Sequence, residues 1–148
     1  YQMMNGSILT AIKFYNDVKT NGNLDIKSPE QWNDYFKDTE IEEQPDAFMF
    51  RGEKIDPGTL GNQMYGYLGN QIGFPQPILY LGGGWAQIKE ASWKSNVSPN
   101  GSLTPEEAKT FSYIEAFSCW YLPNYGDAPE DHEAVKEGLE WYIESLSR

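Results

Sequence analysis

Apolar residues recur every three or four positions along much of this chain, the period of helices with one buried face. Over residues 3–20, Ile8, Ile12, Tyr15 and Val18 form such a stripe, widened by Leu9 and Ala11, and Asn21-Gly22 supplies a helix end. Ser28-Pro29-Glu30-Gln31 reads as the start of a second helix that runs to about Lys37 and buries Trp32 and Phe36. The five acids in residues 38–46 predict a solvated loop, and residues 47–55 a short strand or extended segment. Asp56-Pro57-Gly58 reads as a turn. Helical spacing resumes through Leu60, Met64, Tyr67 and Leu68 until Pro75 and Pro77 interrupt it.

A helix over about 77–92 follows, weakened by Gly82-Gly83-Gly84, and 94–103 has the composition of a loop. Thr104-Pro105-Glu106-Glu107 is a capping box. The apolar run 111–122 fits buried helix or strand equally, because periodicity cannot decide over so few residues. Residues 123–127 form a turn. Asp127 caps the last helix, Glu130 answers it, and Val135, Leu139, Tyr142 and Leu146 give a core stripe. The pattern predicts a mainly α protein, a single compact α-rich domain over residues 1–148 with at most a short β element.

Residues 61–87 depart from an ordinary amphipathic helix, with seven glycines in 27 positions. Each costs about 1 kcal/mol relative to alanine in a helix interior. Such a cost is tolerated where backbones approach closely or a substrate must reach the main chain.

Charge narrows the classes of function. Eleven Lys and Arg face 22 Asp and Glu, a net charge of −11. That balance opposes non-specific binding to nucleic acid and suits a basic protein partner, although a local metal site would invert it. A single cysteine excludes an internal disulfide, and no apolar run approaches the roughly 20 residues of a membrane span. The start at Tyr1 without a methionine suggests a piece of something longer.

The residue inventory eliminates several chemistries. One His and one Cys cannot form a zinc site of three or four His and Cys ligands. Cys119, within an apolar run, reads as a structural thiol. Walker A, GxSxG and HExxH motifs are absent, and Gly82–Gly84 lacks the strand and acid of a dinucleotide site. Carboxylates remain, with amides and aromatics. Asp25, Asp127 and Asp131 suit paired-carboxylate hydrolysis of a glycoside or metal-assisted cleavage of a phosphodiester. Each has an architectural alternative: Asp127 as a helix cap, Asp131 as first-turn charge, and Asp25 with Lys27 as a surface pair. Asn62 and Tyr65 equally suit filling between close helices, Gln87 a hydrogen bond within an apolar helix, and His132 a solvated helix surface.

Three blocks, FYNDVKTNGNLDIK at 14–27, the glycine-rich 61–87, and YGDAPEDHEAVKEGLEWY at 125–142, resemble the type 44 domain of bacterial polymorphic toxins. The matching positions are Phe14, Tyr15, Asp25, Lys27, Gly61, Asn62, Tyr65, Gly66, Gln87, Tyr125, Gly126, Asp127 and Asp131. Ile26 and His132 depart from the family pattern, which argues against essential chemistry at His132, and residues 91–122 have no alignable counterpart. The resemblance implies the C-terminal toxin domain of a larger secreted protein, of Rhs or type VI effector kind. It implies delivery into rival bacteria and neutralisation by a cognate immunity protein.

The residues then favour a peptidoglycan glycan hydrolase acting in the periplasm. Asp25, Asp127 and Asp131 are its candidate catalytic residues, and Lys27, Asn62, Tyr65, Gln87 and Tyr125 its substrate contacts. No cofactor is expected. The alternatives are a ribonuclease, which would need a divalent metal and act in the cytoplasm, and a toxin that poisons by binding alone.

Overall fold

The computed structural model of the chain describes residues 8–19, 22–39, 43–97 and 103–148. In chain order the elements are α1 (Ile8–Val18), α2 (Pro29–Phe36), β1 (Phe48–Phe50), β2 (Glu53–Ile55), α3 (Pro57–Ile72), α4 (Gln76–Val97), α5 (Pro105–Ala116) and α6 (Pro129–Ser145). A 3-10 turn (Phe117–Tyr121) and a tight turn (Pro123–Gly126) join α5 to α6. Among the described residues the protein is mainly α, with one antiparallel two-stranded ribbon, as the hydrophobic pattern predicts. The chain forms two compact units. The first comprises residues 1–74 and 134–148, the second residues 75–133.

In the first unit, Ile26, Trp32 and Leu60 form a core against which Phe36, Phe48, Phe50, Ile55 and Met64 pack. The Trp32 ring lies 4.5 Å from Phe36 and 5.5 Å from Phe48. The ribbon pairs Phe48 with Ile55 and Phe50 with Glu53. Its turn residues Arg51 and Gly52 have φ of 50° and 88°, as a two-residue hairpin loop requires. The Arg51 guanidinium stacks 4.6 Å from the Trp141 ring centroid and pairs with Glu144 at 3.4 Å. Residues 56–58 begin a helix rather than standing as a separate turn. Asp56 accepts the Thr59 N–H at 2.7 Å and Pro57 opens α3. Gly73 closes α3 at φ 101°.

The α3 glycines serve close packing. A Cβ on Gly66 would stand 2.1 Å from the Val135 carbonyl oxygen, and one on Gly138 would stand 1.8 Å from that of Gln63. The two helices therefore meet backbone to backbone, with Val135 and Leu139 buried beside the contact. The same stripe does not extend to Leu146, which is 70% exposed beyond the end of α6. Among the α1 side chains described, from Ile12 onward, the buried residue is Phe14 rather than Tyr15 or Ile12, because Phe14 stacks on Tyr65 and packs on Phe74. Residues 3–7, 20 and 21 of the expected first helix and its end, and the side chains of Ile8, Leu9 and Ala11, lie outside what the structure describes.

In the second unit α4 runs five residues past the expected end at 92. The added turn, which carries Lys94, Ser95 and Asn96, is held as helix by side-chain bonds: Lys94 pairs with Glu90 at 2.7 Å, and Asn96 donates to the Ser92 carbonyl at 2.8 Å. The remainder of the expected 94–103 loop, residues 98–102, lies outside the described residues. The Thr104 capping box forms. The Glu107 N–H donates to Thr104 Oγ1 at 3.3 Å, and the Thr104 N–H donates to Glu107 Oε2 at 2.9 Å. The run 111–122 is neither wholly helix nor buried. Its small residues Ser112, Ala116 and Cys119 point inward, and most of its large apolar residues face solvent.

Candidate functional site

The predicted site residues divide between the two units. Asp25, Lys27, Asn62 and Tyr65 belong to the first; Gln87, Tyr125, Asp127 and Asp131 belong to the second.

In the first unit, Asp25 is buried rather than at the surface. It sits in the loop before α2 at 8% exposure, its N–H donating to the Gly22 carbonyl and its carbonyl accepting from Ser28. Lys27 lies across Gly61, where a Cβ would stand 2.8 Å from the lysine Cγ. Its Nζ donates to Asn62 Oδ1 at 2.5 Å. Gln44, from the acidic loop, donates to the carbonyls of Ile26 and Lys27 at 2.9 and 3.0 Å. Tyr65 stacks on Phe14 with centroids 5.7 Å apart. The matched Phe14, Lys27, Gly61, Asn62 and Tyr65 thus interlock, tying the loop before α2 and helix α1 to α3.

The second unit presents its residues differently. Asn124, Tyr125 and Gly126 are three consecutive left-handed residues, with φ of 50°, 57° and 82°. A left-handed conformation costs a residue with a Cβ roughly 1–2 kcal/mol. Tyr125, which is neither Gly nor Asn, therefore holds it only under external constraint. Part of the constraint is local. The Tyr125 N–H donates to the Leu122 carbonyl at 3.0 Å, and the Asp127 N–H to that of Asn124 at 3.1 Å. The rest comes from α4. A Cβ on Gly84 would stand 1.8 Å from the Tyr125 carbonyl oxygen, and one on Gly83 would stand 2.9 Å from Asp127 Oδ2. The glycine triplet that weakens α4 as a sequence pattern is the seat of this turn.

Tyr80, Gly83, Gly84 and Gln87 follow the i, i+3, i+4, i+7 spacing of one helix face. That face collects the site. The Tyr80 ring is 6.2 Å from Tyr125 at an interplanar angle of 22°, and 4.3 Å from His132. Exposed Gln87 lies one turn beyond Gly84, and partly exposed Asp131 precedes His132 in the first turn of α6.

α6 starts at Pro129, whose fixed φ suits a first helical position, and Asp127 Oδ1 accepts the Ala128 N–H at 3.1 Å just before it. One reading changes. His132 is half-buried against Tyr80 rather than solvated, and its buried Nδ1 has no hydrogen-bond partner among the described residues. Tyr80 is the site neighbour absent from the sequence analysis, and its signal is the i, i+3, i+4, i+7 spacing from Tyr80 to Gln87. His132 is named there but set aside as a solvated helix residue that departs from the family pattern. Among the described residues no three His, Cys, Asp or Glu side chains converge as a metal site would require.

Neither the curated proteins nor the solved structures include a significant match to this chain. The family model described as bacterial toxin 44 matches residues 13–144, which take in the interlocked Lys27 corner and the seated turn. With nearly its whole length matched, the chain belongs to the bacterial toxin 44 family.

Proposed function

We propose that this toxin domain acts in the periplasm of a target bacterium, where it hydrolyses the glycan of peptidoglycan through the carboxylates of Asp127 and Asp131. The observation that carries the reading is the seated turn. A strained backbone, locked onto Gly83 and Gly84 of the helix whose Tyr80 ring stacks near Tyr125, holds Asp127 against Gly83, with Asp131 following in α6. Fixed geometry at this cost suits a carboxylate that must meet a reacting atom. In such a reaction one carboxyl protonates the leaving oxygen, and the other attacks the sugar or activates a water. Tyr80, Tyr125 and Gln87 would hold the sugar face and its N-acetyl or hydroxyl groups. Asp25, buried in the first unit, then serves the fold.

Charge supports a neutral glycan over nucleic acid. The net charge is −11, and the lysines near the first-unit corner are locally engaged: Lys13 with Asp17, Lys19 with Asn16, and Lys27 with Asn62. Among the described residues no helix is long and apolar enough to cross a membrane. Delivery from outside and a cognate immunity protein in the producer complete the reading.

The test is compartment-specific toxicity. Expressed in a susceptible bacterium, the domain kills with rounding or lysis only when fused to a periplasmic export signal. Asp127→Asn, which keeps an acceptor for the Ala128 N–H, loses about 10²-fold of that potency. Killing only from the cytoplasm, with RNA loss, overturns the reading in favour of a nuclease. Full potency of the Asn variant removes Asp127 from the chemistry.

A further inference from the structure

We infer that the exposed aromatic ridge at the end of α5 is a sugar-stacking subsite that grips a glycan strand beside the Asp127 turn; the inference rests on the wall-glycan reading. The ridge inverts ordinary helix patterning. The residues that α5 and the following 3-10 turn bury are small: Ala108, Ser112, Ala116 and Cys119. The residues they expose are large. Phe111, Ile114, Phe117 and Trp120 recur every third position, close neighbours on an α-helix and eclipsed on a 3-10 helix. Phe117, Trp120 and Tyr121 are 65%, 60% and 90% exposed. Scattered apolar residues on a surface need no explanation, whereas a contiguous ridge of this kind marks an interaction site.

Two features select the occupant. The first is continuity. Only Leu122 and Pro123 separate Tyr121 from the left-handed turn, so a strand lying along the ridge leads toward Tyr125 and Asp127. The second is chemistry. Trp and Tyr rings offer flat apolar faces with polar tips, which match the C–H faces and hydroxyl edges of pyranose rings. The shallow depression alongside is lined by Glu106, Thr110, Phe111 and Ile114, which adds hydrogen-bonding groups of the kind that sugar hydroxyls use. The acidic surroundings disfavour a polyanion. They equally disfavour a second copy of a chain carrying −11.

The experiment titrates the 148-residue chain, carrying Asp127→Asn to prevent turnover, with a hexamer of N-acetylglucosamine. Tryptophan fluorescence is followed, and binding to purified peptidoglycan sacculi is measured in parallel by sedimentation. Saturable binding is expected, weakened about tenfold by Trp120→Ala and by Tyr121→Ala, and largely kept by Trp120→Phe. Both positions are exposed, so far-UV circular dichroism should be unchanged. Absence of binding, or binding indifferent to both alanine variants, overturns the inference. So does analytical ultracentrifugation showing a dimer that the variants dissolve, since the ridge then belongs to a second copy. Sacculus cleavage by the native chain is scored separately. Cleavage without ridge-dependent binding removes the subsite and spares the hydrolase, and ridge-dependent binding without cleavage does the reverse.

Discussion

Gly138 and Gly84 face the same steric demand with different partners. A Cβ on either would stand 1.8 Å from a backbone carbonyl oxygen, that of Gln63 for Gly138 and that of Tyr125 for Gly84. In the first unit the obstacle is α3, a helix whose carbonyls are fixed by its own ladder and whose neighbours Leu60 and Val135 are buried. In the second unit the obstacle is a turn in a conformation that it would leave if released. One contact holds up the fold, and the other holds a carboxylate in place. The glycine-rich stretch that looks uniform in the sequence thus divides at Pro75 into a half that lets helix meet helix and a half that seats the left-handed turn.

The contrast can be broken by paired substitution. Gly138→Ala has no room to relax and should cost about 3 kcal/mol or more, lowering the melting temperature by roughly 10 °C in thermal denaturation. Gly84→Ala should cost less, about 1–2 kcal/mol, because the turn moves away, yet it should reduce toxicity at least about tenfold by carrying Asp127 off its position. Equal melting losses for the two, with toxicity following stability alone, would show that the turn is as architectural as the helix pair.

A smaller effect sharpens the first-unit side. Lys27→Met and Asn62→Leu, made singly and together, should show a coupling of about 1 kcal/mol in denaturant unfolding, as expected for a part-buried hydrogen bond across Gly61. Additive losses would mean that the two side chains stabilise the unit independently.

The smallest effect belongs to the second unit. The Thr104 hydroxyl and N–H hold the Glu107 carboxyl below its usual 4.5. A lowered folded-state value means that the unfolded chain takes up the proton first. The cap's contribution is therefore complete above about pH 5 and is lost as the pH falls through the folded-state value. The native melting temperature should decline over that acid range slightly more than that of Thr104→Ala, by circular dichroism. Parallel curves would exclude the cap as a source of acid sensitivity.

Local chemistry was legible in the sequence wherever neighbours in the chain decide the outcome. The Thr104–Glu107 box, the α2 start at Ser28-Pro29 and the buried Val135 and Leu139 follow directly from residues three or four apart. What escaped depends on distant partners. Phe14 displaces Tyr15 from the interior because Tyr65 and Phe74 wait for it. The outward bulk of α5 contradicts any helical-wheel rule. In the site, Tyr125, Asp127, Asp131 and Gln87 could be singled out as residue types. The seating of Tyr125 and Asp127 on α4 could not, because it depends on reading Gly83 and Gly84 as a seat rather than as breaks in a helix. The burial of Asp25 escaped for the converse reason: a charged residue in a short loop looks solvent-facing until the loop is folded.

The seated turn also bears on how such a domain is lost by mutation. Every residue other than glycine carries a Cβ, so any missense change in the Gly84 codon drives an atom toward the Tyr125 carbonyl. A catalytic acid can sometimes be exchanged for its chemical cousin, but this position has no cousin. A population selected to shed the toxin while keeping its reading frame should therefore accumulate lesions at the bare backbone under the turn as readily as at the carboxylates above it.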